Sequence, residues 1–100
     1  MNITHYFSSG TYCKETHMQA GEWGEKHIHD HDHLSVLCDG IARLTVDGET
    51  RTIKGPAVLT IEATRAHRVL AVTALTWLCI HATDETDPEK IDSVLVHEEK

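Results

Sequence analysis

The chain has no run of apolar residues approaching the roughly 18 needed to cross a bilayer, so a membrane-spanning helix is not expected. Its start, Met1-Asn2-Ile3-Thr4-His5, carries neither a basic segment nor an apolar one, so no secretory leader is expected there. Cysteine is scarce: Cys13, Cys38 and Cys79 are an odd number, widely spaced and without a CxxC pair. That argues against a disulfide framework and against a thiolate zinc finger, and it fits a reducing cytoplasm. A basic stripe is also missing, which makes nucleic acid a poor partner. The net charge is −7, and Asp84–Lys100, with seven acids and two lysines, holds five of those negative charges. Such a tail reads as a solvated face. No internal repeat and no linker interrupts the 100 residues, which is the length of one domain.

What the chain does have is alternation. In Ile41-Ala42-Arg43-Leu44-Thr45-Val46, the side chains of Ala42, Leu44 and Val46 fall on one face and those of Arg43 and Thr45 on the other. This half-buried strand runs into Asp47-Gly48, a dipeptide suited to a type I′ hairpin because both central residues take positive φ. Thr50-Arg51-Thr52-Ile53 reads as the returning strand, and Gly55-Pro56 as a turn. Further strands are expected at Ala57–Ile61, Arg68–Val72 and Leu75–His81, with Glu15–Ala20 alternating upstream of Gly21. Short strands separated by turn signals predict an all-β sandwich or barrel. One stretch reads as helix: Asp87-Pro88 supplies a capping acid and a first-turn proline, so Pro88–Val96 is expected to form a short helix with Ile91, Val94 and Leu95 inward.

Four of the nine histidines stand at positions 27, 29, 31 and 33. On one straight strand they would share a face and span about 20 Å, too far for one ion. Two neighbours at i and i+2 can bind one metal from the same face. A third needs a bend, and Asp30-His31-Asp32 is polar and turn-prone. His27 and His29 then end one strand, and His33 starts the next, pointing back to the same centre.

This spacing resembles the first motif of the cupins: glycine, five residues, HxH, three or four residues, glutamate, six residues, glycine. Gly21 is followed by five residues and then His27-Ile28-His29; three residues later comes His33, and six after that Gly40. His33 stands where the family has glutamate. Ile61-Glu62-Ala63-Thr64-Arg65-Ala66-His67 is similar in spacing to the second motif, IPxGxxH, with Glu62 and Thr64 in place of its proline and glycine. The asparagine sometimes found four residues on is Ala71. The resemblance covers roughly residues 15–82 and implies a single jelly-roll β-barrel followed by the acidic tail 84–100. It implies metal ligands at His27, His29, His33 and His67, with one divalent transition ion among Fe, Zn, Ni, Cu and Mn. Imidazole donors suit several of these. With His33 in place of glutamate the first coordination sphere keeps the full charge of the ion, which favours anionic ligands.

The function expected is that of a small metal-dependent enzyme of oxygenase type acting on a small organic substrate. The alternatives are a metal-dependent isomerase or lyase, and a non-catalytic binder of a ligand or metal. Glu62 is the one candidate general base beside the ligands. His31 is expected at the bend, facing solvent, with Asp30 and Asp32 as turn residues able to orient a ligand ring. Trp77 and Cys79 are expected in the core, with His81 a polar residue at the strand end, and His5, His17 and His97 on the surface. Arg65 and Arg68 flank His67 and are expected as exposed strand-end residues. Cys38 is expected as a buried or edge cysteine rather than a nucleophile. The expected partners are a small molecule and a second copy of the chain, because a small barrel with open strand edges gains from pairing.

Overall fold

The computed structural model describes residues 1–24, 28–29, 32–63, 66–91 and 96–97, of which 28–29 and 96–97 through their backbone alone. Among the described residues ten strands form: β1 (Asn2–Ser8), β2 (Thr11–Met18), β3 (Ile28–His29), β4 (His33–Asp39), β5 (Ile41–Val46), β6 (Glu49–Lys54), β7 (Ala57–Ile61), β8 (His67–Ala71), β9 (Leu75–Ala82) and β10 (Val96–His97). They pair antiparallel into a five-stranded sheet of order β1-β2-β9-β4-β7, a three-stranded sheet of order β6-β5-β8, and the short pair β10-β3.

Alternation decides which side chains the sheets enclose. In β5, Ala42 and Leu44 are buried and Arg43 is exposed. The hairpin at Asp47-Gly48 has φ of +50° and +84°, as a type I′ turn requires, and it sets the register from Val46↔Glu49 to Ile41↔Lys54. Leu37 of β4, Ile61 of β7, Val69 of β8 and Trp77 of β9 meet Leu44 and Met18 in one apolar core between the sheets. A β-bulge between Leu37 and Asp39 ends β4, and the Asp39 carboxylate accepts from the backbone N–H of Thr76 at 2.8 Å.

The chain crosses from the larger sheet to the smaller at Gly40. Its φ is +79°, and a Cβ there would lie 2.5 Å from the carbonyl oxygen of Ala74 and 2.9 Å from Cβ of Leu75. Only glycine fits, because the turn between β8 and β9 passes directly over it. Gly40 is the glycine that closes the first spacing pattern, so its place in that pattern has a steric cause.

Two readings of the sequence change. The N-terminal segment was not expected as a strand, yet β1 pairs with β2 from Asn2↔His17 to Ser8↔Thr11. The tail begins as expected: the Asp87 carboxylate accepts from the N–H of Glu89 at 2.9 Å, and its carbonyl accepts from Lys90 and Ile91 at 3.0 Å. Ile91 is fully buried against Tyr12 and Phe7. Val96, however, does not end a helix; it pairs with His29 in the β10-β3 ribbon, where the backbone of both residues is used by the partner strand. Val94 and Leu95 lie outside the described residues.

Candidate metal centre

The strand break read between the two halves of the histidine run is present, with β3 and β4 in different sheets. β3 ends at His29 and β4 starts at His33. Asp32, just before β4, accepts from the N–H of Ala63 at 2.6 Å and so ties the start of β4 to the residues that follow β7. Upstream, Gly21 and Gly24 donate to the carbonyls of Ala71 and Val69 at 2.8 Å, and Ala71 donates back to Glu22 at 2.9 Å. The segment that leads to positions 27 and 29 is therefore laced along β8, the strand that His67 begins.

His33 and His67 are both buried, at 5% and 8% exposure, and their ring centres are 6.1 Å apart. They come from different sheets: His33 pairs with Ile61 of β7, and His67 with Val46 of β5. Two imidazoles that bind one ion at about 2.1 Å each have ring centres roughly 5–6 Å apart. At 6.1 Å the pair stands just beyond that spacing, and its donors are of a type that suits a transition ion. Among the described residues no three His, Cys, Asp or Glu side chains converge in a way that could hold an ion. His27 and His31 lie outside the described residues, as do Asp30 and Arg65. Of His29 the backbone is placed in β3 and the side chain lies outside them.

His81 corrects its sequence reading. It does lie at the end of β9, but it is buried, 3% exposed, and its ring stacks on that of His33 with 4.2 Å between centres. Tyr12 stacks on its other side at 6.1 Å and is itself flanked by Phe7 at 5.0 Å. The sequence did carry the signal: Trp77, Cys79 and His81 share one face of β9, and Trp77 is plainly core. His5 also departs from a surface role, since its Nδ1 is 2.6 Å from the hydroxyl of Tyr12. His17 is exposed as expected, and only the backbone of His97 is described.

The inward face next to this histidine stack carries Ser35, fully buried, whose hydroxyl donates to Sγ of Cys79 at 3.6 Å. Burial pushes the Cys79 thiol above its ordinary range, with a smaller opposing pull from Ser35. Burial also raises the thiols of Cys13 and Cys38, which leaves Cys38 an unsuitable nucleophile, as its sequence context implied.

His67 borders two hollows. One, of about 400 Å³, lies between the sheets and is lined by side chains of β1, β2, β8 and β9 together with Trp23. The other, of about 430 Å³, opens beside the β5–β6 hairpin and holds Asp47, Glu49, Arg51 and Glu62. Glu62 is exposed and faces this outer hollow with His67. Arg68 is exposed too, and its guanidinium sits 3.9 Å above the ring of Trp23.

The family model described as "Cupin domain" matches residues 14–81. Solved structures agree on the fold. A cupin superfamily protein from Desulfitobacterium hafniense superimposes with a TM-score of 0.71 at 19% identity, over 83% of this chain and 79% of its own. An RmlC-like cupin from Shewanella frigidimarina gives 0.69 at 16% identity, over 78% and 71%. A cupin 2 domain-containing protein from Halorhodospira halophila gives 0.75 at 15% identity, over 92% and 74%. A comparison with functionally curated proteins returned no match. With two-thirds of its length under one family model and its two sheets folded as in these barrels, the chain belongs to the cupin-domain family, in its jelly-roll form.

Proposed function

We propose that the protein is a metal-dependent cupin that holds one divalent transition ion, Fe, Zn, Ni, Cu or Mn, on His27, His29, His33 and His67, and that it acts on a small organic molecule by oxygenase-type chemistry. The observation that supports this most is the burial of His33 and His67, from different sheets, with ring centres 6.1 Å apart and His67 at the edge of a hollow of about 400 Å³. A bound ion would supply Lewis acidity or redox capacity at the wall of that hollow. The chain's own residues do the rest. His81, itself stacked on Tyr12, braces His33 by stacking, Asp32 ties the start of β4 to Ala63, and Trp77 and Val69 keep the hollow apolar.

A second reading has an observation of its own. Among the described residues no carboxylate lines the inner hollow, so none of them offers a carboxylate general base to a molecule bound there. That favours a binder of a small ligand or metal over the isomerase or lyase alternative. The cytoplasm remains the proposed setting, supported by three cysteines that form no disulfide. A homodimer is proposed from the outer face of the larger sheet, where Leu34 and Val58 are 49% and 68% exposed.

Elemental analysis of purified, tag-free protein tests the metal reading. About one ion per chain is expected, with stoichiometry lost in a His27→Ala/His29→Ala variant and kept in His17→Ala. Protein that is metal-free, and whose melting temperature ignores chelators, counts against it. Oxygen uptake with candidate substrates on the iron- or copper-loaded protein favours the oxygenase; zinc in a closed shell without exchangeable water favours the binder.

A further inference from the structure

The outer hollow, of about 430 Å³, shares only His67 with the inner one among the described lining residues. Its floor is apolar: Leu44 and Ile61 are buried, and Val46 packs against the core. Its rim is charged, and the strand register explains which charges turn toward it. Between β5 and β6, Val46 stands opposite Glu49, Leu44 opposite Arg51 and Ala42 opposite Ile53. Directly opposed residues of an antiparallel pair share a face. Ala42 and Leu44 are buried and Ile53 packs against the core, so Glu49 and Arg51 lie on the core side of β6. β6 is an edge of its sheet, and both residues are exposed there.

An inward charge on an edge strand can serve only to discourage pairing with another chain. That role asks for a charge of either sign and for no hollow beneath it. Here both signs stand on one face, two residues apart, at the mouth of a hollow. Among the described residues no ion pair joins Glu49 to Arg51, or either of them to another side chain. Their Cα atoms are about 7 Å apart along the strand. A molecule that carries a cation and an anion on one carbon therefore has a counter-charge on each side. The guanidinium presents two parallel N–H groups to a carboxylate, and the Glu49 carboxylate accepts from an ammonium. Asp47 and Glu62 line the same hollow, so three carboxylates surround one guanidinium, a balance that disfavours a simple anion. Arg51 disfavours a simple cation in turn. The apolar floor leaves room for a side chain.

We propose that the outer hollow binds a free α-amino acid with an apolar side chain, its carboxylate on Arg51, its ammonium on Glu49 and its side chain on Leu44, Val46 and Ile61. The site goes beyond the metal reading and requires neither the ion nor the inner hollow.

The probe is L-leucine, with isocaproate as its relative without the ammonium and isoamylamine as its relative without the carboxylate. Each is titrated into the full chain, stripped with a chelator, and followed by amide NMR. L-leucine is expected to shift the backbone signals of Glu49 and Arg51 and the side-chain N–H of Arg51 saturably. Each relative should bind roughly tenfold or more weaker, the loss of one charge-assisted contact. Arg51→Met should weaken L-leucine by a similar factor without weakening isoamylamine. Glu49→Gln should weaken L-leucine without weakening isocaproate. Melting curves check that both variants fold, and the three probes on the parent test the paired charges without any variant. No saturable shift with L-leucine, equal affinity for the three probes, or L-leucine affinity indifferent to either substitution overturns the proposal. Shifts that appear only after metal loading also overturn it, and assign the amino acid to the ion. Binding by the stripped protein that depends on Arg51 and Glu49 would sustain this inference even if the metal reading fell.

Discussion

The two faces of the five-stranded sheet invert the usual arrangement. On β4 the inward side chains include His33 and Ser35, both buried, whereas the outward ones include Leu34, 49% exposed, and Val36, half-buried. Across from them Cys79 and His81 point in and Leu78 and Ile80 point out, and Tyr6 and Val58 extend the outer apolar surface. A sheet that only built a core would bury the apolar set and hydrate the polar one. Here polar groups are bought at the expense of core on the inside, in the zone nearest the histidines, and the outside is left greasy. On the proposed reading, the difference separates two tasks: ligand or metal binding on the inner face, and pairing with a second copy on the outer one.

The largest effects should come from the part of the inner face that is pure packing. Leu44→Ala, at a fully buried site, is expected to cost roughly 2–5 kcal/mol by urea denaturation, whereas Val58→Thr on the outer face should stay within about 0.5 kcal/mol. Equal costs at the two sites would erase the distinction between the faces. Next comes the seam where the chain leaves the sheet. Gly40→Ala forces a Cβ to within 2.5 Å of a backbone oxygen at a φ of +79°, and a loss of roughly 2–3 kcal/mol is expected. A variant as stable as the parent would show that the turn between β8 and β9 can move aside.

The outer face is tested by charge. Leu34→Glu should convert a dimer to a monomer in sedimentation equilibrium while changing the melting temperature of the monomer little. A parent that sediments as a monomer at micromolar concentration would remove the pairing role from this face. The smallest effect concerns the inner thiol. Burial raises the Cys79 pKa above its ordinary 9.0, so the unfolded chain releases that proton first as pH rises. Stability attributable to Cys79 is complete below that value and declines as pH climbs toward the folded-state pKa. Urea midpoints taken between about pH 8 and 10.5 should therefore fall less steeply in Cys79→Ala than in the parent; identical slopes would mean that the thiol ionises alike in both states.

Much of the scaffold was legible because period-two alternation and turn residues are local. β5, its hairpin, β7, β8 and β9 follow from Ala42-x-Leu44, Asp47-Gly48 and Gly55-Pro56 in this way. The break between His29 and His33 was legible too, since four imidazoles on a straight strand cannot serve one centre. β1 was missed because its pattern is weak: Ile3 and Tyr6 remain 44% and 51% exposed, and only pairing with β2 holds the strand. β10 was missed because Asp87-Pro88 reads as the start of a helix through Val96, and a two-residue pairing of Val96-His97 with β3 is a tertiary event. His81 was misjudged because a histidine near a strand end is ordinarily solvated, and the stack with His33 depends on two strands distant in sequence.

The central claim is that imidazoles from the histidine run and from the start of β8 meet at one ion. X-ray absorption on the metal-loaded protein measures this directly. An all-nitrogen shell with scattering from several imidazoles is predicted, and His67→Ala should remove one imidazole from the fit while metal still binds. A shell that is unaltered by the loss of His67, or one that contains no imidazole, would contradict it.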